Sequence, residues 1–377
     1  MIKDIILSEF YNSCKDKTIK VSIRNQKGTF SASAPSGTSK GAYEAKTIEI
    51  EKIKKLFPKI KKKLIGKEER EVDKIVEKIG SNLSLPISIA AVRAITNNNP
   101  YKLFNPFANL FPFLLGNTIG GGAHSGYLSE QELLVIPLKA KTIKEAIKTN
   151  LSIWKEIGEL LGPFITGRNR ENAWICTIND LKCLEMLSDK ASDFGARIGI
   201  DFAANNIYNK GRYYYKHPDR NFTPDKQLEF VLDLIKSYKL AYVEDPFIEN
   251  DFDNFSELTK KANCLITGDD LFATQSNRLK KGIKKKACNA IIIKPNQAGT
   301  VYKTMETVNL AKIAGYATIV SHRSCETDDS FIADLAVGTS SPVIKCGIFG
   351  KEREAKFKRL EELWNKIEKP KMTKIFI

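Results

Sequence analysis

A chain of 377 residues, with 42% hydrophobic and 28% charged side chains, can bury a sizeable core, which excludes a disordered polypeptide. No apolar stretch approaches the roughly 18 residues of a membrane span, and a start that mixes acidic with apolar residues predicts no signal peptide. The formal charge of +16 admits nucleic acid, an anionic membrane surface or anionic substrates as partners. Specific nucleic-acid binding is not expected. In the lysine-rich run KIKKLFPKIKKKLIGK (52–67), Ile53, Leu56, Ile60 and Leu64 fall at helical spacing, and no aromatic stacking surface is interleaved. Seven scattered cysteines without a C-x-x-C predict a reducing, cytoplasmic setting and no disulfide framework.

Residues 1–108 read as a small α+β domain, with strand-like IKVSIRN and GTFSASA followed by helical patterns. The stretch LFNPFANLFPF (103–113), with two prolines and two asparagines, marks the boundary to a second domain at 109–377.

Beyond the boundary, short apolar runs end abruptly in a polar residue: Asp201, Glu244, Asp269, Lys294, His322 and Lys345. After the first interval these recur every 23 to 28 residues, enough for a strand, a helix and two loops. Helical stripes lie between them, such as Leu228, Val231, Leu232 and Ile235. Strand and helix at constant period imply parallel βα units, and the length suits a barrel of eight, with an open doubly wound sheet as the alternative. In such a barrel the C-terminal strand ends share one mouth, so the six polar residues converge there. Helix capping explains an aspartate at one such end but not two lysines and a histidine.

The composition of that mouth points to chemistry. Asp201, Glu244 and Asp269 are hard oxygen ligands suited to Mg²⁺. Lys294, beside a divalent cation, is expected to have a lowered pKa and act as a base. Arg323 and Ser324 suit a phosphate or carboxylate clamp, with Lys345 a second anion contact. A base near metal suggests proton removal α to a carboxylate.

These residues sit in segments that together resemble the enolase family: SAPSGTSKGAYEA (33–45), GGGAHSG (120–126), SEQEL (129–133), GIDFA (199–203), VEDPF (243–247), GDDL (268–271), IIIKPNQAGT (291–300) and VSHRSCETDDSFIADL (320–335). The resemblance implies an α/β fold, an enolase-type (β/α)8 barrel under the N-terminal capping domain, whose first units depart from simple βα order. It implies Mg²⁺ on Asp201, Glu244 and Asp269, and a second Mg²⁺, arriving with substrate, held partly by Ser39. Lys294 is then the base and Glu171, in GRNRENAW (167–174), the general acid. Glu132 pairs with that acid, and His124 lines the same region. Arg323, Ser324 and Lys345 hold the phosphate and carboxylate of a small phosphorylated substrate, with His322 beside them. The implied reaction is the reversible dehydration of 2-phospho-D-glycerate to phosphoenolpyruvate, in a homodimer or higher homo-oligomer.

The chain departs from the family pattern at several points. Arg170 precedes Glu171 and Asn172 follows where the family has glycine, and an adjacent arginine is expected to favour an ionised acid. HRSGE reads HRSCE at Cys325, and NSCKDK replaces the usual turn near the start. These changes leave two alternatives. One is an enolase-like paralogue acting on a different phosphorylated or α-acidic carboxylate; the other is a non-catalytic basic binding protein. Glu326 and Asp328 are expected in the first turn of the helix that follows.

Overall fold

The computed structural model describes residues 1–37, 41–122 and 127–375. Ser39 and His124 therefore lie outside the described residues. Near the N-terminus, β1 (Asp4–Tyr11), β2 (Lys17–Asn25) and β3 (Gly28–Ser33) form an antiparallel sheet in that order. The sequence pattern does not show β1, because only Ile5 among its eight residues is buried and alternation is too weak to read. Helix Ser81–Thr96 packs against β2 and β3 and is buried along most of its length. The lysine-rich helix Ile50–Leu64 buries Ile53, Phe57, Ile60 and Leu64 and leaves its lysines outward.

Eight strands then close on themselves. They are β4 (Phe113–Gly120), β5 (Glu132–Ile136), β6 (Arg197–Asp201), β7 (Tyr242–Glu244), β8 (Leu265–Gly268), β9 (Ala290–Ile293), β10 (Ala317–Ser321) and β11 (Val343–Lys345). Each pairs with the next, and β11 returns to β4. Pairing is parallel except on both sides of β5, which runs against β4 and β6. The departure from simple βα order is thus one reversed strand. Its consequence is positional: the first residue of β5, Glu132, lies opposite Asp201 and Gly120 at the mouth.

β-Branched and aromatic residues supply the strands. Leu115, Leu134, Tyr242, Ile292, Ile319 and Val343 belong to one buried cluster along these strands. Burying each such side chain contributes about 1.5–3 kcal/mol as an upper figure. Asp201, Glu244 and Lys345 are the last residues of their strands, and Asp269, Lys294 and His322 follow theirs by one. At Lys294 the reason is local. Pro295 cannot donate to a ladder and restricts its predecessor to extended backbone, and Lys294 has φ −113 and ψ 105.

Two expectations need correction. Cys14 and Cys325 form a disulfide, 311 residues apart in sequence, a separation that no spacing rule detects. Glu326 does not start a helix, since the next helix begins at Phe331. Instead Glu326 is buried and accepts from Lys356 Nζ at 2.8 Å and from the Arg323 backbone N–H at 3.1 Å. The three-stranded antiparallel sheet at 208–222, where Asp180 N–H donates to His217 O, was also not anticipated. No described helix is long and apolar enough to cross a membrane.

One buried ion pair ties the N-terminal sheet and helix to the barrel loops. Arg93 donates to Asp329 through both Nη atoms at 2.7 Å, and Asp329 also accepts from Ser33 N–H at 3.2 Å. Burial alone would raise the Asp329 pKa, but Arg93 outweighs it and holds the carboxyl below its ordinary value. Removing one partner of such a pair leaves the other charge buried and uncompensated. Asp329→Asn is expected to cost about 3–5 kcal/mol in urea unfolding, and a loss under about 1 kcal/mol would contradict this account of the tie.

Candidate active site

The strand mouths surround a cavity of about 310 Å³. Glu132, Glu171, Asp201, Asp269, Lys294, His322, Arg323, Ser324 and Lys345 line it. Glu244 lies just beneath, fully buried.

Lys345 sits at the centre of the acidic group. Its Nζ is 2.6 Å from Glu244 Oε2, 2.8 Å from Glu132 Oε2 and 2.9 Å from Asp201 Oδ2. Burial works to lower its pKa, but Asp201, Glu132 and Glu244 prevail and raise it well above the ordinary lysine value. Burial, reinforced by neighbouring carboxylates, raises Glu132 well above its ordinary value and Glu244 to about 7. The sequence analysis assigned Lys345 to substrate anions, whereas here its ammonium is shared among three carboxylates.

Lys294 Nζ contacts Asp269 Oδ2 directly. Burial would lower the Lys294 pKa, but Asp269 outweighs it and the pKa is raised. The lowered value expected of Lys294 concerns a lysine beside a divalent cation, whereas the nearest charge here is the Asp269 carboxylate. Asp269 itself is held below its ordinary value, with Lys294 overcoming burial. Gln297 Nε2 donates to Asp269 Oδ1 at 3.0 Å.

Asp201, Glu244 and Asp269 form an all-oxygen donor set, as a hard divalent cation requires. Each accepts from a lysine ammonium, so a cation charge already stands at each carboxylate. Among the described residues, Glu244 Oε1 is buried without a hydrogen-bond partner, an acceptor left for something further. The residues therefore fit Mg²⁺. Oxygens of Asp245, Asp269 and Asp270 also lie within 4.8 Å of one another. Asp245, however, already accepts from the backbone N–H groups of Asp269 and Asp270 at 3.0 and 2.7 Å. With φ 41 before Pro246, it pins the exit from β8.

Glu171 is buried, and Asn117 Nδ2 lies 3.2 Å from its Oε2. His322 Nε2 is 3.4 Å from the same oxygen. Burial lowers the His322 pKa against the opposing pull of Glu171, so the neutral ring is favoured. Asn169 Oδ1 accepts from the backbone N–H groups of Glu171 and Ala173 at 2.9 and 3.0 Å, shaping the acid loop. Asn172 takes the glycine's place with φ 65, a left-handed conformation that asparagine tolerates. The Arg170 side chain is exposed while Glu171 is buried, so the neighbours point apart.

Arg323 has a partner that the sequence analysis did not identify. Glu44 Oε2 accepts from its Nη1 at 2.9 Å and Glu44 Oε1 from its Nη2 at 3.1 Å, filling the guanidinium fork. Gly41 N–H holds Glu44 Oε1 at 3.0 Å. A Cβ on Gly37 would fall 1.9 Å from Arg323 Nη2, so a side chain there would have to displace the guanidinium from Glu44. Beneath the loop that follows β10, Arg353 Nη2 donates to Ser324 O at 3.0 Å and Lys356 Nζ to Thr327 O at 2.6 Å. Both side chains come from helix Lys351–Lys366 and are fully buried. Nothing in their sequence context separates them from the solvated lysines nearby.

A family profile described as "Enolase, C-terminal TIM barrel domain" matches residues 108–370. The chain belongs to the enolase family. It is 34% identical to a protein named Enolase from Archaeoglobus fulgidus, over all of both chains. It is 35% identical to Enolase from Methanosphaera stadtmanae, over 99% of each. A third relative, Enolase from Methanocorpusculum labreanum, is 36% identical over 95% of this chain and 98% of its own. In this enolase-family chain the barrel brings together nine of the sequence-assigned residues, Lys294, Glu171, Glu132, His322, Arg323, Ser324, Lys345, Asp201 and Asp269, around one cavity, with Glu244 beneath.

Glu44 makes a specific prediction. It competes with any anion for the Arg323 fork, and a hydrogen bond to a charged group is worth roughly 1.5–3 kcal/mol. Glu44→Gln is expected to tighten inorganic phosphate binding about tenfold or more by calorimetry. Weaker binding in that variant would show that Glu44 supports the fork rather than occupying it.

Proposed function

We propose that this enolase-family lyase catalyses the Mg²⁺-dependent, reversible dehydration of 2-phospho-D-glycerate to phosphoenolpyruvate. The observation that carries the reading is the shared cavity, which a lysine base, a buried carboxyl, an all-oxygen acidic group and an arginine fork all line. The family profile over the barrel supports dividing the chain into a capping domain at 1–108 and a barrel at 109–377.

In the proposed reaction Lys294 removes the proton from the carbon that bears the phosphate. Glu171, paired with Glu132, delivers a proton to the departing hydroxyl. His322 keeps Glu171 in place through its contact at 3.4 Å. Arg323 and Ser324 orient the phosphate after Glu44 yields the fork, and Lys345 contacts the carboxylate. Asp201, Glu244 and Asp269 would hold Mg²⁺, which would supply positive charge against the negative charge that builds on the substrate carboxylate. Ser39 and His124 belong to the same proposal, as a ligand for a second Mg²⁺ and a leaving-group contact. The exposure of Arg170 removes the main reason to assign the leaving-group side a different substrate. A homo-oligomer is the proposed state, on the family resemblance.

The test is growth of enolpyruvate absorbance from 2-phosphoglycerate with Mg²⁺. Lys294→Ala is expected to lose about 10²–10⁴-fold in kcat, the contribution of a positioned acid–base group. Wild-type turnover no greater than that of the variant would sink the proposal.

The acidic group allows a check that needs no turnover. Lys345→Met leaves Asp201, Glu132 and Glu244 without their shared cation and is expected to lower stability by about 3–5 kcal/mol. Millimolar Mg²⁺ should restore much of that loss in thermal melts. A variant as stable as wild type without Mg²⁺ would contradict this charge balance.

A further inference from the structure

The two departures noted at Cys14 and Cys325 are bonded to each other. Cys14 lies in the turn between β1 and β2, and Cys325 lies in the loop after β10. Around the bond three segments meet. Ser36 and Cys325 exchange backbone hydrogen bonds at 2.9 and 3.0 Å. Ser13 N–H donates to Glu326 O at 2.7 Å, and Asn12 Nδ2 donates to Ser36 Oγ at 2.9 Å. Two residues before Cys325 stands Arg323.

Access is unequal across the seven cysteines. Cys176, Cys183, Cys264, Cys288 and Cys346 are free and buried. Cys325 is 1% exposed, whereas Cys14 is half-exposed in its turn. Cys14 is thus the one cysteine of the seven that is not buried, and the side from which a small thiol approaches the bond.

We propose that Cys14 and Cys325 form a reversible thiol–disulfide modification site for low-molecular-weight thiols, which sets how firmly the loop bearing Arg323 and Ser324 is held. In the reducing direction a thiolate RS⁻ attacks Cys14 Sγ. The Cys14–Cys325 bond breaks, its electron pair passes to Cys325 Sγ, and that sulfur takes a proton. A second RS⁻ attacks the RS sulfur of the mixed disulfide, giving RSSR and a Cys14 thiolate that is then protonated. The small disulfide RSSR is the oxidant of the reverse direction. Once open, the three segments keep only their hydrogen bonds, and local opening of the loop becomes easier. The loop so released carries two residues assigned to the substrate phosphate, and only that link depends on the proposed function.

Neither readout of the test requires turnover. Native protein is alkylated with iodoacetamide before and after incubation with dithiothreitol, then digested and weighed. The expected result is no label before reduction, and label on Cys14 and Cys325 alone afterwards. Amide hydrogen exchange across 33–37 and 322–327 should quicken roughly tenfold or more on reduction. Cys14→Ser, a half-exposed site, should exchange quickly with or without the reductant. Label on Cys14 before reduction, or exchange rates in these segments unmoved by reduction, would overturn the proposal.

Discussion

The fold concentrates like charge where it is most costly. Closing eight strands with one reversed brings Glu132, Asp201 and Glu244 to a common mouth, all buried. Two unit charges 4 Å apart repel by about 4 kcal/mol at an effective dielectric of about 20. The Lys345 ammonium, within 3 Å of all three carboxylates, offsets that repulsion. Lys294 does the same for Asp269. The site is thus an acidic group held together by its own lysines, and a divalent cation would take over charge already provided for.

Much of this was legible in the sequence, for a physical reason. A parallel barrel converts regular spacing into convergence, so polar residues at the ends of apolar runs must meet. Asp201, Glu244, Asp269, Lys294, His322 and Lys345 obeyed that rule. Glu132 could not be placed that way, because it begins a strand; only the reversal of β5 brings it to the mouth. Glu44, Asn117 and Asp245 were invisible as partners, since their roles depend on contacts across the fold: Glu44 on Arg323, Asn117 on Glu171, and Asp245 on the amides after β8. Arg353 and Lys356 failed in the opposite sense. Each resembles its solvated neighbours in helix Lys351–Lys366, yet both are buried beneath loop 322–327.

That loop joins the acidic mouth to the N-terminal region. Lys356 and Arg353 hold it from below, Glu326 bonds within it, and Cys14 ties it to the first hairpin. Glu44 occupies its arginine from the side. An anion that takes the Arg323 fork must therefore exchange a contact that is already made. That contact lies against two glycines: a Cβ on Gly37 would meet the guanidinium, and Gly41 N–H donates to Glu44.

The central claim is that Lys294 removes a carbon-bound proton beside this charge-balanced group. Solvent deuterium entering carbon 2 of 2-phosphoglycerate, followed by proton NMR in D₂O, tests it most directly. The account predicts Mg²⁺-dependent loss of that proton signal with wild-type protein and none with Lys294→Ala. Equal exchange in the variant, or none in either protein at saturating Mg²⁺, would contradict it.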